Sequence, residues 1–324
     1  MRNRLTGRAE WVLCLAVTLA ASATAFGAEG EFHRALKVSG TVNLQIETGS
    51  GSIRVHTGSP NELSVIGHIR SDRWSETSSD AIRKIEDNPP IQQSGNDIRI
   101  GHIDDPELRR HISISYEVTV PPSTELHSST GSGDQEIAGI AGPLDARTGS
   151  GSLNLRDIGA GVRAESGSGA IEISGAKGSV YAHTGSGSIV AKDVAGGFDG
   201  QTGSRNLKLE QTSQRSVRAQ TGSGDLELRN LRGSVQAQSG SGSIRADGDP
   251  TGQWTLHTGS GGVTLGFPQN ASFELNAHTG SGSINVNHQL TVQGAIGKKN
   301  VHGKVGGGGV PVQIDTGSGD ISID

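Results

Sequence analysis

Apolar and polar residues alternate with period two over short runs along most of the chain, and the runs themselves recur. In Val180-Tyr181-Ala182-His183-Thr184, the residues Val180, Ala182 and Thr184 share one face. Gly185-Ser186-Gly187-Ser188 follows as a turn. Ile189 and Ala191 then resume the apolar face, with Val194 near a second turn at Gly196-Gly197. The same slots recur as Val217, Ala219 and Thr221, then Leu226, Leu228 and Leu231. They recur again as Val235, Ala237 and Ser239, then Ile244 and Ala246. Alternation over short runs bounded by glycine-rich turns predicts strands. No unit carries a helical pattern.

The turn phrase begins at Thr130, Thr148, Ser166, Thr184, Thr202, Thr221, Ser239, Thr258 and Thr279, at spacings of 18 to 21 residues. An early copy stands at Thr48 and a late one at Thr316. A fixed period of this size marks a solenoid, a propeller or an array, and a four-stranded propeller blade needs about 40 residues. A shorter unit of two strands and two turns, at roughly 3.3 Å per residue, fits one rung of a β-solenoid. The competing arrangement is a meandering antiparallel sandwich. The predicted fold class is all-β: a single-chain, β-helix-like stack of rungs behind a non-repetitive N-terminal cap. The inward slot beside the turn is always Thr or Ser, and the next is often Ala, so the interior is narrow. The hydroxyl has a turn amide, or its counterpart one rung away, within reach. Glycine is expected to give each corner a positive φ without steric cost.

Two stretches fall out of register. Between Pro60 and Pro122 the positions Leu63, Val65 and Ile69 alternate, a short helix is predicted near 79–86, and Ile112 to Val120 form the longest clean strand. An end rung exposes unpaired backbone and needs a cap, which this block is expected to supply. The second stretch, 286–311, reads as an irregular insertion ending in Gly306-Gly307-Gly308-Gly309. Beyond it Val312, Ile314 and Thr316 restore the pattern. The expected organisation is a signal peptide over 1–27, a strand and cap region over 28–129, and the repeat solenoid over 130–324.

Composition sharpens this picture. Of 324 residues 50 are Gly, without a Gly-X-Y period, and aromatics make up 3%. Such a chain fills a thin, long core rather than a thick one. Arg2, Arg4 and Arg8 precede an apolar run from Trp11 to Ala23, with small-residue cleavage motifs at Ala23-Thr24-Ala25 and Ala25-Phe26-Gly27; this is the pattern of a secretory signal. Cys14 is the single cysteine and lies inside the apolar run, so a mature chain would have no disulfide, thiol chemistry or zinc–thiolate site. Losing three Arg and one Glu with the signal moves the formal charge from −5 to −7. An acidic surface argues against a nucleic-acid partner. No later stretch is apolar enough to span a membrane.

Three stretches together carry a family resemblance: "ISYEVTVPPSTELHSSTGSGD" (114–134), the chain of Gly-Ser-Gly units through Ile284, and "GKVGGGGVPVQIDTGSGDISI" (303–323). Over residues 35–324 the sequence resembles the bacterial "putative adhesin" β-strand-repeat family, a domain of unknown function. The resemblance implies an exported, envelope-associated all-β protein. The family has no agreed catalytic residues to carry over.

Candidate chemistry is sparse. The Gly-Ser-Gly turns are not phosphate loops: Gly303-Lys304-Val305 lacks the hydroxyl and the following helix. Asp134, Asp225 and Asp320 follow Gly-Ser-Gly as calcium-binding repeats would require, but Ser152, Ala170, Gly262 and Arg205 hold the equivalent places, and Asp is also a good turn residue. No Gly-x-Ser-x-Gly or His-Glu-x-x-His motif occurs. Glu172, Glu210 and Glu227 fall on outward, solvated slots. Trp74, Trp254, Tyr116 and Tyr181 are too scattered to form a sugar platform, and Trp254 occupies an inward slot. The outward slot before each turn forms the most ordered series: Glu165, His183, Gln201, Gln220, Gln238, His257 and His278. Its glutamines are expected to make an amide ladder between rungs. His183, Gln201, Gln220, Gln238, His257 and His278 are the candidate binding face.

The expected function is an exported, non-enzymatic envelope scaffold or adhesin-like binding module in the periplasm or at the cell surface, without cofactor or metal. Its partner would be an envelope glycan or protein. The alternatives are a polysaccharide-acting enzyme on a β-helix and an envelope sensory or regulatory module.

Overall fold

A computed structural model describes residues 28–72, 76–101, 103, 111–292 and 297–324. The signal-peptide segment and Trp74 lie outside the described residues. Among them, the chain forms 29 strands and one helix. The strands build one 14-stranded and one 15-stranded sheet. Each repeat contributes one strand to each sheet. Leu144–Thr148 lies in the 15-stranded sheet, crosses the Gly149-Ser150-Gly151 turn, and continues as Leu153–Ile158 in the 14-stranded sheet.

Successive units pair parallel and in register. Val162, Ala164 and Ser166 lie over Leu144, Ala146 and Thr148, and under Val180, Ala182 and Thr184. This parallel pairing is that of a β-solenoid and excludes the antiparallel sandwich. The inward residues of both sheets meet in one continuous apolar core. That core is thin because its central slot is Ala146, Ala164, Ala182, Ala219 or Ala237, all buried. Where Gly200 replaces alanine, the Phe198 ring takes the space: a Cβ on Gly200 would meet it at 2.5 Å. Toward the C-terminal end the core widens around buried Trp254, which packs edge-on against Phe267 at 5.0 Å. Phe267 meets Phe273 at 4.9 Å, and the Trp254 indole donates to the Gly233 carbonyl at 3.0 Å.

The Thr-Gly-Ser corners hold together by a hydroxyl relay. Thr148 Oγ1 donates to the Gly133 carbonyl of the preceding rung at 3.1 Å and accepts from Gly151 N of its own turn at 3.0 Å. Ser166, Thr184, Ser239, Thr258 and Thr316 repeat both bonds. The expectation about glycine needs correcting here. None of the positive-φ glycines lies in a Thr-Gly-Ser turn. These glycines are needed for close approach instead: a Cβ on Gly151 would sit 1.9 Å from the Gly133 carbonyl oxygen one rung below. Positive φ belongs to the opposite corner, where Gly139, Asp157, Gly175, Asp193, Asn230 and Gly248 share the role. Asp and Asn tolerate that region better than other side chains.

The ends of the stack depart from sequence order. The rung carrying Thr48 (Val42–Thr48 and Ile53–Thr57) already belongs to the stack, under Thr124–Thr130 and Gln135–Ala138. Beyond it lie Asp97–Ile100 in one sheet and Ile112–Val120 in the other. Strands Glu62–Ser71 and Glu29–Lys37 extend the latter edge antiparallel. The helix Glu76–Asp87 lies against them, burying Ile82 and Ile85, and Glu86 accepts from Glu31 N at 3.0 Å.

At the other end, the last strands, Val310–Thr316 and Ile321–Ile323, enter between two earlier rungs. They pair with Trp254–Thr258 and Val263–Gly266 on one side and with Phe273–Thr279 and Ile284–Val286 on the other. Within the stretch expected as an irregular insertion, Asn300–Val305 pairs antiparallel with Phe273–Thr279 on one side and with Leu290–Val292 on the other, at the edge of the 15-stranded sheet.

Candidate functional site

The outward slots of the 15-stranded sheet bring the expected row together. Register places Arg147, Glu165, His183, Gln201, Gln220, Gln238 and His257 side by side on successive strands. The row departs from expectation at its far end. His278 is not the neighbour of His257, because the inserted strand places Asp315 between them. Asn300, on the antiparallel edge strand, follows His278.

The row has three chemical zones. At the N-terminal end Arg147 Nε bonds Asp145 Oδ1 at 2.9 Å and stands 3.6 Å from Glu165. The hydrogen bond to Asp145 raises the Arg147 pKa above its ordinary value. Arg163 pairs with Glu165 and lies over the Tyr181 ring, 4.5 Å from its centroid. The middle zone is uncharged. Gln220 Nε2 donates to Gln238 Oε1 at 2.9 Å, while Gln201 is exposed. The ladder is therefore made at one step between rungs, and each amide keeps donor or acceptor capacity for a partner. His183 Nδ1 is shielded from solvent and meets no protein partner. The C-terminal zone sets His257 Nδ1 3.7 Å from Asp315 Oδ1 and His278 Nδ1 2.5 Å from Asn300 Oδ1.

The 14-stranded sheet presents a different outer face, laced by ion pairs. Arg54 bonds Glu117 at 2.7 Å, Arg156 stands 3.8 Å from Glu136, and Lys208 bonds Glu227 at 2.8 Å. Glu227, expected to be solvated, also pairs with Arg229 and is partly buried. The hydrogen bond from Lys208 holds its carboxyl below the ordinary range, against the opposing effect of desolvation. A general acid needs the opposite shift. Glu210 is contacted by Asn230 Nδ2 at 3.5 Å.

The turn aspartates have structural work. Asp134, Asp225 and Asp320 each accept the backbone N–H of Ser152, Ser243 or Ser283 in the next rung, at 2.8 Å. The bonds from Ser283 lower the Asp320 pKa. Among the described residues no three His, Cys, Asp or Glu side chains converge to hold a metal ion, and no helix is long and apolar enough to cross a membrane.

A two-sheet parallel stack closed by Thr-Gly-Ser corners is the class of protein these features define. The chain belongs to the Toastrack DUF4097 family, whose profile matches residues 160–324, just over half of the sequence. The matched segment holds eight of the Thr/Ser-Gly-Ser turns and the Gly306–Gly309 run that carried the resemblance. No curated protein matches the chain. Among solved structures, a "putative adhesin" from Bacteroides fragilis is 13% identical, with 91% of this chain and 97% of that one covered and a TM-score of 0.35. A "putative lipid binding protein" from Parabacteroides distasonis is 14% identical over 92% and 98%, with a TM-score of 0.43. A "putative cell adhesion protein" from Clostridium sporogenes is 14% identical over 91% and 99%, with a TM-score of 0.19.

Proposed function

We propose that this protein is an exported, non-enzymatic binding module of the cell envelope, and that its contact surface is the outward row from His183 to His278. Residues 1–27 act as the signal that sends it to the periplasm or cell surface. The partner is an envelope glycan or protein whose own repeat can follow the strands, spaced about 4.8 Å apart.

One observation carries this reading: ion pairs occur on both outer faces, but on the 15-stranded one three successive strands place a glutamine in the same outward slot. The 14-stranded face neutralises its charges internally through pairs such as Lys208–Glu227. The middle of the 15-stranded face presents Gln201, Gln220 and Gln238 in one line, with a single amide–amide bond among them. Identical groups at a fixed interval let a repetitive partner make many weak contacts at once, and avidity exceeds any one of them. No catalytic residue is assigned, and the depressed carboxyl of Glu227 fits an ion-pair role.

The test is co-sedimentation of purified protein with envelope fragments from the producing cell, untreated, protease-treated or periodate-treated. The triple variant Gln201→Thr/Gln220→Thr/Gln238→Thr is expected to sediment about tenfold more weakly. The variant Asn154→Thr/Glu172→Thr/Val190→Thr, on three neighbouring strands of the other face, is expected to sediment like the parent. Equal sedimentation of parent and glutamine variant would refute the assignment.

A further inference from the structure

Three histidines gather where the 15-stranded face ends. Trp254–Thr258, Val310–Thr316, Phe273–Thr279 and Asn300–Val305 are successive neighbours there, and at about 4.8 Å per strand they span roughly 14 Å. His257 and His278 stand on either side of Asp315 in one outward row. His302 lies in the next row, beside Asn276. All three histidines are exposed.

The surrounding charges are few. Lys304 faces Glu274 at 3.4 Å. Lys298 and Lys299 precede Asn300, and Lys299 Nζ donates to the Gly280 carbonyl at 2.7 Å. Toward the glutamines, the next outward charge is Arg218, beyond Gln236 and Thr255. On the other side, Leu290–Val292 carries none. His288 packs inward, edge-on to Phe273 at 6.2 Å, and Asp320 is held by Ser283 N on the other sheet. Three lysines and two carboxylates therefore give the zone a formal charge of +1 with neutral histidines, on a chain whose total is −5. Imidazole changes charge between pH 5 and 8, where carboxylates and lysines ordinarily do not. Three imidazoliums take the zone to +4.

Histidines at the other end of the molecule sit differently. His33 and His68 share the Glu31 carboxylate, and His68 also stands 3.9 Å from Glu117, so their protons are answered within the protein. In the C-terminal zone Asp315 is the single carboxylate between two histidines, 3.7 Å from His257 Nδ1, and Glu274 is already engaged by Lys304. The added charge there is left facing solvent.

We propose that acidification turns this end of the row into a docking surface for an anionic polysaccharide. The inference rests on the reading of the 15-stranded face as the contact surface, and adds the partner's charge and the pH that favours its capture. Open, exposed groups hold a single small anion weakly. A polymer with an acid on each residue meets several of them at once, and its contacts reinforce one another. Nucleic acid calls for aromatic platforms under its bases, and the outward slots of these four strands hold no Phe, Tyr or Trp.

Calorimetric titration of the purified protein with polygalacturonate at pH 7.5 and 5.5, with uncharged dextran as control, tests the proposal. Three added ion contacts predict about tenfold tighter binding at the lower pH. The gain should vanish as salt shortens the Debye length from about 10 Å at 0.1 M to about 3 Å at 1 M. His257→Gln/His278→Gln/His302→Gln should bind at pH 5.5 no better than the parent does at pH 7.5. His33→Gln/His68→Gln should keep the parent's ratio, which separates this zone from the general gain of positive charge in acid. Asp315→Asn should tighten binding at both pH values, a gain that mere loss of local structure would not give. The triple glutamine variant should keep the pH ratio even where its sedimentation with envelope fragments is lost, so the two readings fail separately. Equal affinity at the two pH values, a ratio kept by the three-histidine variant, or equal binding of dextran overturns the proposal.

Discussion

Replacing Thr184 by Val tests whether the hydroxyl relay holds the rungs together. Thr184 is fully buried. Its Oγ1 donates to the Gly169 carbonyl at 2.9 Å and accepts from Gly187 N at 3.1 Å. Valine keeps the branched shape and nearly the volume, so packing changes little while both bonds disappear. Each neutral bond contributes about 0.5–1.5 kcal/mol net, and losing a partner in a buried site falls toward the upper end. Two bonds give an expected loss of about 2 kcal/mol, roughly a 30-fold change in the folding equilibrium. Thr184→Ser is the control. Ser166 makes the same two bonds at 2.9 and 2.8 Å, so serine at 184 keeps both and gives up one methyl, about 0.8 kcal/mol. Urea unfolding followed by tryptophan fluorescence and by circular dichroism gives the midpoints, comparable where the slope m is unchanged and the two probes coincide. The expected order is parent, then Ser, then Val. A Val variant as stable as the parent would show that shape fills this slot and the hydroxyl contributes nothing.

Gly187→Ala should cost more than Thr184→Val, because its Cβ would lie 1.9 Å from the Gly169 carbonyl; the same urea curves should place it at or beyond the upper end of the about 1–3 kcal/mol typical of overpacking. Deleting residues 310–324 removes the rung that joins Trp254–Thr258 to Phe273–Thr279; hydrogen exchange should show protection lost over 273–305 as well, and a loss confined to Trp254–Gly266 would contradict the inserted order. Glu227 has a folded pKa held below its unfolded value of about 4.5 by the Lys208 hydrogen bond, so its stabilisation is present in full above that value and fades as pH falls through the folded pKa. Glu227→Gln should therefore lower the melting temperature at neutral pH and converge with the parent in acid; a constant difference at all pH values would contradict the ion-pair role.

Much of this architecture was legible because two periods coincide. The alternation in Val180-Tyr181-Ala182-His183-Thr184 fixes which side chains face inward, and the recurrence of Val-x-Ala-x-Thr/Ser fixes that like slots stack. The same interchangeability hid the ends. Val312, Ile314 and Thr316 fit beside Trp254, Leu256 and Thr258 as well as beside Leu275, Ala277 and Thr279, and the pattern names a face without naming the neighbour. Asp315 therefore went unplaced, although it occupies the outward slot of a recognised copy. Glycine misled for a related reason: its presence does not say whether φ or proximity demands it, and at Gly151 the carbonyl below decides. Gln211, which lies beside Val194 with its buried Oε1 unpaired, left one trace, the stretched spacing between Thr202 and Thr221. An extra residue in a rung signals a changed corner, but the unpaired oxygen appears only when the column around it is assembled.

The inserted rungs give the two ends a common logic. A stack wound strictly in chain order would leave its first and last rungs at the edges, each holding on by one side and free to fray. Here the first rung, at Thr48, is covered by Asp97–Ile100 and Ile112–Val120, and the last, at Thr316, is covered by Phe273–Thr279 and Ile284–Val286. Peeling either one requires breaking two ladders in each sheet. The covering strands come from the chain's interior, so their own ends are tethered by hairpins or further strands. The C-terminal arrangement also couples its parts: Phe273–Thr279 pairs with Val310–Thr316 and Asn300–Val305 and has no ladder to Trp254–Thr258. Residues 273–324 must then associate with one another to dock on the regular stack at all. That coupling makes the end a single cooperative cap, and it keeps the rungs that carry the glutamine row away from any exposed sheet edge.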